Sequence, residues 1–255
     1  MNNERKNEIL TLIKKDKEVR LSDLTKLFPY VSEMTLRRDL DFLANKGLIL
    51  RTHGGGKEIK ATPIIDAFNF ENRVTNNIVA KNNIASCAVK LLEENRSIYL
   101  DAGSTLLAFA EQIPDICLFI VTNAPNIGIE VAKRNNTEIV FLGGSMNKSA
   151  LSVTGSLTSD NLDKINIDIA FMAAGGFSME NGFTNAYINE CELKRKVIKL
   201  AKKVYVLLDQ SKLGRNLPFT FANLEDVDAI ITDHKLPEKL HDSITSKGID
   251  VFVSK

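Results

Sequence analysis

Ser32-Glu33-Met34-Thr35-Leu36-Arg37-Arg38-Asp39-Leu40 and the later Gly47-Leu48-Ile49-Leu50-Arg51-Thr52-His53-Gly54-Gly55-Gly56 constrain this chain more than any other stretch. Ser32 is a good helix N-cap, and Gly47 stands where a left-handed C′ residue ends a helix near Lys46. Between them Leu36, Leu40 and Leu43 share one face, leaving Met34, Thr35, Arg37 and Arg38 to the flank or the opposite side. Upstream, Ile9, Leu10, Leu12 and Ile13 mark residues 4–15 as an amphipathic helix. Val19-Arg20-Leu21 reads as extended, and Ser22 is placed to cap a brief helix over 23–28 that Pro29 stops. Leu48 to Arg51 is β-like, and Gly54-Gly55-Gly56 allows a tight turn. The order helix, short strand, helix, turn, helix, hairpin predicts a winged helix-turn-helix over residues 1–57.

Such a head suits DNA. A helix fits the major groove, and an arginine fork matches a guanine edge or a phosphate. Ser32 and Thr35 at the helix start can cap it and also reach phosphate, where free N–H groups favour anions. Arg51 and His53 on the wing are placed to touch the backbone or the minor groove. Arg37 and Arg38 project about 100° apart, so they are expected to do different jobs, one of them pairing with Asp39, Asp41 or another acid of the head. The candidate DNA contacts are therefore Ser32, Met34, Thr35, Arg37, Arg38, Arg51 and His53. Charge agrees: residues 1–57 hold 12 Lys and Arg against 8 Asp and Glu, whereas residues 58–255 hold 21 against 24.

Residues 58–67, polar and holding Pro63, read as a linker. From residue 68 onward, apolar strands alternate with amphipathic helices, which predicts an α/β domain with a mainly parallel sheet. The expected strands are 97–100, 117–122, 138–142, 168–173, 204–208, 229–232 and 250–253. The expected helices are 76–93, 105–112, 125–135, 189–201 and 236–246. No apolar run approaches the length of a bilayer span, and Met1 to Lys6 lacks an apolar signal region, so a cytoplasmic protein is expected. Cys87, Cys117 and Cys191 lie far apart, without metal-ligand spacing or a disulfide framework. Neither a metal nor a cofactor is expected.

Three strand ends in the second domain carry polar turns. Tyr99-Leu100-Asp101-Ala102-Gly103-Ser104-Thr105 runs a strand into a turn that opens a helix, where backbone N–H groups and two hydroxyls can cradle a phosphate. Val121-Thr122-Asn123 and Leu142-Gly143-Gly144-Ser145 follow the next two strands. Ligands of open parallel sheets bind at the carboxyl ends of strands, where all three turns fall. Glu190 and Lys194 begin a later helix, and Lys212, just past another strand, could meet a phosphate with its ammonium. Asp101 fits two roles, accepting from a sugar hydroxyl or holding its own loop through backbone N–H groups.

Head and body together resemble one family. The arginine pair with the His-Gly-Gly end is similar to the N-terminal signature of the DeoR family of bacterial sugar-metabolism regulators. The body's Asp101-Ala102-Gly103-Ser104-Thr105, Thr122-Asn123, a Gly-Gly, an acidic helix start, Asp209-Gln210-Ser211-Lys212 and Ile230-Ile231-Thr232-Asp233 occur in that family's order. The resemblance covers about residues 4–255. It implies a sheet similar to that of ribose-phosphate isomerases and a sugar-phosphate inducer at the strand ends of residues 68–255. The candidate effector residues are Asp101, Gly103, Ser104, Thr105, Thr122, Asn123, Gly143, Gly176, Glu190 and Lys212.

An aldose–ketose isomerase needs a carboxylate base over the sugar carbon. Isomerases of this fold resemble one another in an Asp-Gly-Ala-Asp type loop after a middle strand, and the comparable segment here, Met172-Ala173-Ala174-Gly175-Gly176-Phe177, has no carboxylate. The expectation is a non-enzymatic repressor of a sugar-utilisation operon. It binds double-stranded operator DNA as a homo-oligomer, a dimer or tetramer joined through the body, and a phosphorylated sugar releases it. The alternatives are an isomerase-like enzyme with a DNA-binding head and a ligand-independent activator.

Overall fold

A computed structural model describes residues 2–45, 48–58 and 70–254. The helix stop expected at Gly47 and most of the expected linker fall outside the described residues. The chain divides into two compact units, Met1–Ala61 and Thr62–Lys255.

The first unit opens with α1 (Asn2–Asp16), β1 (Glu18–Arg20), α2 (Leu21–Leu27) and α3 (Glu33–Asn45). The hairpin β2 (Ile49–Thr52) and β3 (Gly55–Glu58) follows. An antiparallel sheet in the order β1-β3-β2 covers the helices. Ile9 and Ile13 of α1, Leu24 of α2 and Leu36, Leu40 and Leu43 of α3 form the buried core with Ile49. The helical spacing of these apolar residues therefore does decide the packing. Ser32 does cap α3, its Oγ accepting from Thr35 N at 3.3 Å.

Two local readings need correction. Ser22 is not an N-cap: α2 starts two residues earlier than expected, with Arg20 in the cap position and no side-chain cap. The free amide of Leu21 donates instead to Gly54 O of the wing at 2.7 Å, so the hairpin does the capping. Only Gly54 of the three glycines lies in the turn. Gly55 and Gly56 belong to β3 and pair with Arg20 and Val19 of β1. A Cβ at Gly55 would lie 2.0 Å from Val19 O, and one at Gly56 would lie 2.8 Å from Ile49 Cδ1. Those two are glycines because the neighbouring strand and core leave no room for a side chain.

The second unit contains a seven-stranded sheet whose pairings are all parallel. Its strands are β4 (Arg96–Leu100), β5 (Leu118–Thr122), β6 (Thr137–Phe141), β9 (Ile167–Ala173), β12 (Ala201–Leu208), β14 (Ala229–Thr232) and β15 (Asp250–Val253). Along the sheet they run β15-β14-β12-β9-β4-β5-β6. Apolar clusters lie on both faces, and Ile98 to Leu100 and Ile169 to Met172 are almost fully buried, as expected of central parallel strands. On these faces pack α5 (Ile78–Val89), α6 (Ser104–Gln112), α7 (Pro125–Val131), α9 (Ile188–Leu200) and α10 (Glu238–Thr245).

Smaller elements have no counterpart in the sequence reading. They are α4 (Phe70–Thr75), the hairpin β7 (Ser145–Asn147) and β8 (Ser152–Thr154), and α8 (Ser156–Leu162). A separate antiparallel sheet joins β10 (Gly176–Ser178), β11 (Gly182–Asn185) and β13 (Phe219–Ala222). The strand order reverses between β4 and β9, and such a switch point opens a crevice at the carboxyl ends of the two strands.

Candidate DNA interface and anion cleft

On α3 the buried leucines turn Glu33, Met34, Arg37 and Arg38 outward. Arg37 is engaged within the helix: its Nε and Nη2 both donate to Glu33 Oε1, at 3.0 and 2.7 Å. Arg38 is exposed. The acids next to the pair are taken up elsewhere, Asp39 by Arg5 at 2.6 Å and Asp41 by Arg51 at 2.6 Å. Arg51 also donates to Thr52 O and Gly55 O at 2.9 and 2.6 Å. Its guanidinium thus braces the wing, whereas His53 at the tip is exposed. Ser32 and Thr35 sit at the helix start with their hydroxyls 2.9 Å apart.

In the second unit the switch point is where the polar residues gather. A cleft is bounded by Ala102 to Thr105 after β4 and by Ala173 to Gly175 after β9. A Cβ at Gly103 would stand 2.9 Å from Ala173 Cβ, so glycine lets the two loops meet. Asp101 lies beneath them, accepting from Ala173 N at 2.9 Å. It pairs with Lys194 of α9, whose Nζ also donates to Ala173 O at 3.0 Å. These bonds are of the loop-holding kind.

Arg73, Lys212 and Arg215 line the same cleft, as do Glu190 and Asn185. Glu190 Oε1 accepts from Ser152 Oγ at 2.5 Å, and Oε2 accepts from Asn185 Nδ2 at 2.8 Å. These bonds hold the carboxylate still. Arg73 projects from α4, and its Nε is buried with no hydrogen-bond partner among the described residues. Burial pulls the Arg73 pKa down, with Glu190 opposing that shift. Behind it, buried Lys81 donates to the carbonyls of Arg73 and Asn76, closing the C-terminal end of α4. Burial lowers the Lys81 pKa to about 8; Asp209 opposes the shift, and Lys212 and Arg73 add to it. Phe70 N donates to Ser149 O at 3.1 Å, tying α4 to the loop that brings Ala150 to the cleft.

Of the ten candidate effector residues, Gly103, Ser104, Thr105, Glu190 and Lys212 line one cleft. The others do not. Thr122 is buried, donating to Leu100 O at 2.7 Å and accepting from Ala124 N at 3.1 Å. Asn123 accepts from Tyr99 Oη at 2.9 Å and donates to Val153 O at 3.0 Å, which fastens β8 to the sheet end. Gly143 accepts from Thr158 Oγ1 at 2.7 Å. Gly176 faces away: a Cβ there would lie 2.2 Å from Arg215 O, so this glycine admits the Arg215 backbone.

Arg73, Asn185 and Arg215 were not legible as site residues, because none belongs to a motif. Lys194 carries a usable signal, being one helical turn beyond Glu190 on the same face. Among the described residues no group of three or more His, Cys, Asp or Glu could hold a metal ion. None of their helices is long and apolar enough to cross a membrane.

Known proteins share both units. Residues 5–62 match the sequence model of the DeoR-like helix-turn-helix domain. Residues 76–234 match that of the DeoR C-terminal sensor domain. The HTH-type transcriptional regulator GolR of Listeria innocua is 32% identical over 99% of this chain and 98% of its own length. The HTH-type transcriptional repressor GlcR of Bacillus subtilis is 30% identical over 99% and 96%. The L-fucose operon activator of Haemophilus influenzae is 35% identical over 82% and 84%. Among solved structures, ribose 5-phosphate isomerase A of Methanocaldococcus jannaschii is similar at 21% identity and a TM-score of 0.41, over 54% of this chain and 55% of that one.

Proposed function

This chain belongs to the DeoR family of transcriptional regulators, and from that premise we propose that it is a repressor of a sugar-utilisation operon which a phosphorylated sugar releases from its operator. One observation carries the reading: the cleft at the strand switch point is lined by two sets of groups, the start of α6 with Arg73, Lys212 and Arg215, and Glu190 with Asn185. A phosphate suits the first set, because the opening amides of α6, the Ser104 and Thr105 hydroxyls and the cations all favour an anion. Sugar hydroxyls suit the second, since a fixed carboxylate accepts from them and an amide can do either. Gly103, Ser104, Thr105 and Lys212 are the phosphate contacts in this reading, with Glu190 on the sugar. Asp101, Thr122, Asn123, Gly143 and Gly176 shape the site without touching the ligand.

A binding role rather than turnover is supported by two features. Ala173, Ala174 and Gly175 offer no carboxylate to the cleft, and Glu190 is held in one position by Ser152 and Asn185. The named relatives are regulators, in keeping with this. Because one α3 covers a short stretch of groove, operator binding calls for two or more copies joined through the second unit. The ligand can release DNA only by favouring one arrangement of those copies over another.

The test is operator binding and thermal unfolding of the full chain against a panel of pentose and hexose phosphates. One member should raise the melting temperature and weaken operator binding together; a ligand at 100 times its Kd adds about 2.7 kcal/mol. A flat response across the panel overturns the effector reading. Turnover of any member at ordinary enzymatic rates overturns the non-enzymatic one.

A further inference from the structure

We propose that Glu33 is a base-reading residue that selects a cytosine in the operator half-site. The inference rests on α3 entering the major groove, as the DNA-binding reading requires. Glu33 is the first residue of α3, and helix-turn-helix proteins bring the N-terminal residues of this second helix to the base edges. Its side chain is 56% exposed. Both guanidinium donors of Arg37 converge on Oε1, leaving Oε2 without a hydrogen-bond partner among the described residues. An ionised carboxylate can only accept. In the major groove it therefore suits the N4 amino group of cytosine, and it repels phosphate oxygens and the O6/N7 face of guanine.

Arg37 makes this tolerable next to the DNA polyanion. It sits one turn further along, neutralises the carboxylate locally and limits its rotamers, so Oε2 is presented at low entropic cost. Met34 beside it is also exposed and offers a methyl group of the kind that packs on thymine. A purely structural Glu33 is the competing account, since an acid in the first turn favours the helix dipole and an i,i+4 pair adds a little. That role affects stability and leaves sequence preference alone.

The test is selection of bound duplexes from a random DNA library by the full-length protein, its Glu33→Ala variant and its Glu33→Gln variant, with melting temperatures as a folding control. The unaltered protein should enrich a motif. Glu33→Ala should lose about tenfold discrimination at one C·G pair per half-site, while its affinity for bulk DNA rises. Glu33→Gln should move the preference at that pair toward adenine, whose N6/N7 edge glutamine matches. Identical motifs from all three proteins would overturn the proposal and leave the DNA-binding reading intact. No motif even from the unaltered protein would overturn both.

Discussion

Asp101 and Lys194 form an ion pair in which both side chains are almost wholly buried, 2% and 3% exposed. It links the loop after β4, the loop after β9 and helix α9 beneath the cleft. Removing one partner strands a charge in a dry site, which costs about 3–5 kcal/mol. Lys194→Met should therefore destabilise the second unit strongly in denaturant titrations of the full chain. Combining it with Asp101→Asn should recover part of that loss. A Lys194→Met protein as stable as the parent would mean that the pair is solvated and not structural.

Arg37 and Arg38 should part company under mutation. Arg38, exposed and outside the Glu33 pair, is placed to meet the polyanion. Arg38→Ala should weaken all DNA about equally and lower the log–log salt slope by about one. Arg37→Ala should instead free the Glu33 carboxylate and change sequence preference as well as affinity. Salt titrations on operator and bulk DNA measure both, and indistinguishable variants would count against this placement of α3.

Lys212→Ala removes a cation from the cleft of the second unit. Operator affinity without effector should stay within about twofold, as for a change outside the DNA-binding unit that leaves the fold intact. The effector concentration needed for release should rise at least tenfold, as expected from losing a charge-assisted bond. Release at the parent's effector concentration would make Lys212 an ordinary loop lysine.

The sheet was legible for a physical reason. Strands buried on both faces are continuous apolar runs bounded by turns, and each of the seven was read within a few residues of its place. The head was legible through the Ser32 cap and the leucines of α3. What sequence could not show was the furniture of the cleft. Arg73 lies in Phe70-Glu71-Asn72-Arg73, and Arg215 follows a Gly; neither stretch has a period. Both reach the site only through tertiary packing, with Lys81 and Gly176 behind them. Thr122 and Asn123 misled in the opposite sense: they stand at a strand end where ligands bind, yet their hydrogen bonds are spent on Leu100, Ala124 and Val153.

The wing glycines give a paired test of that distinction between turn and close approach. Gly54 has nothing within 4 Å of a Cβ placed on it, whereas a Cβ on Gly55 would meet Val19 O at 2.0 Å. Gly54→Ala should change stability by no more than about 0.5 kcal/mol. Gly55→Ala must push β1 and β3 apart, at a cost of about 3 kcal/mol. Calorimetry of the full chain should show lowered stability for the second variant alone, with operator binding lost. Equal behaviour of the two would place the turn differently from the His53–Gly54 position seen here.

Effector affinity should peak between two titrations. A phosphate monoester gains its second charge near pH 6, so binding strengthens from pH 5 to 7 as the dianion forms. Lys81, with its pKa lowered to about 8, sits close enough to Arg73 and Lys212 to interact with their charges. As pH climbs through 8 its ammonium loses a proton, and the cleft becomes less positive. Affinity must then fall, by at most about tenfold per pH unit for one linked proton. By the same linkage, bound anion raises the Lys81 pKa. Lys81→Met should bind more weakly at pH 7 and lack the decline above pH 8. Isothermal titration across pH 5 to 9.5 measures this, with melting temperatures as a control for loss of the α4 anchor. An alkaline decline that persists unchanged in Lys81→Met would assign that proton to another group.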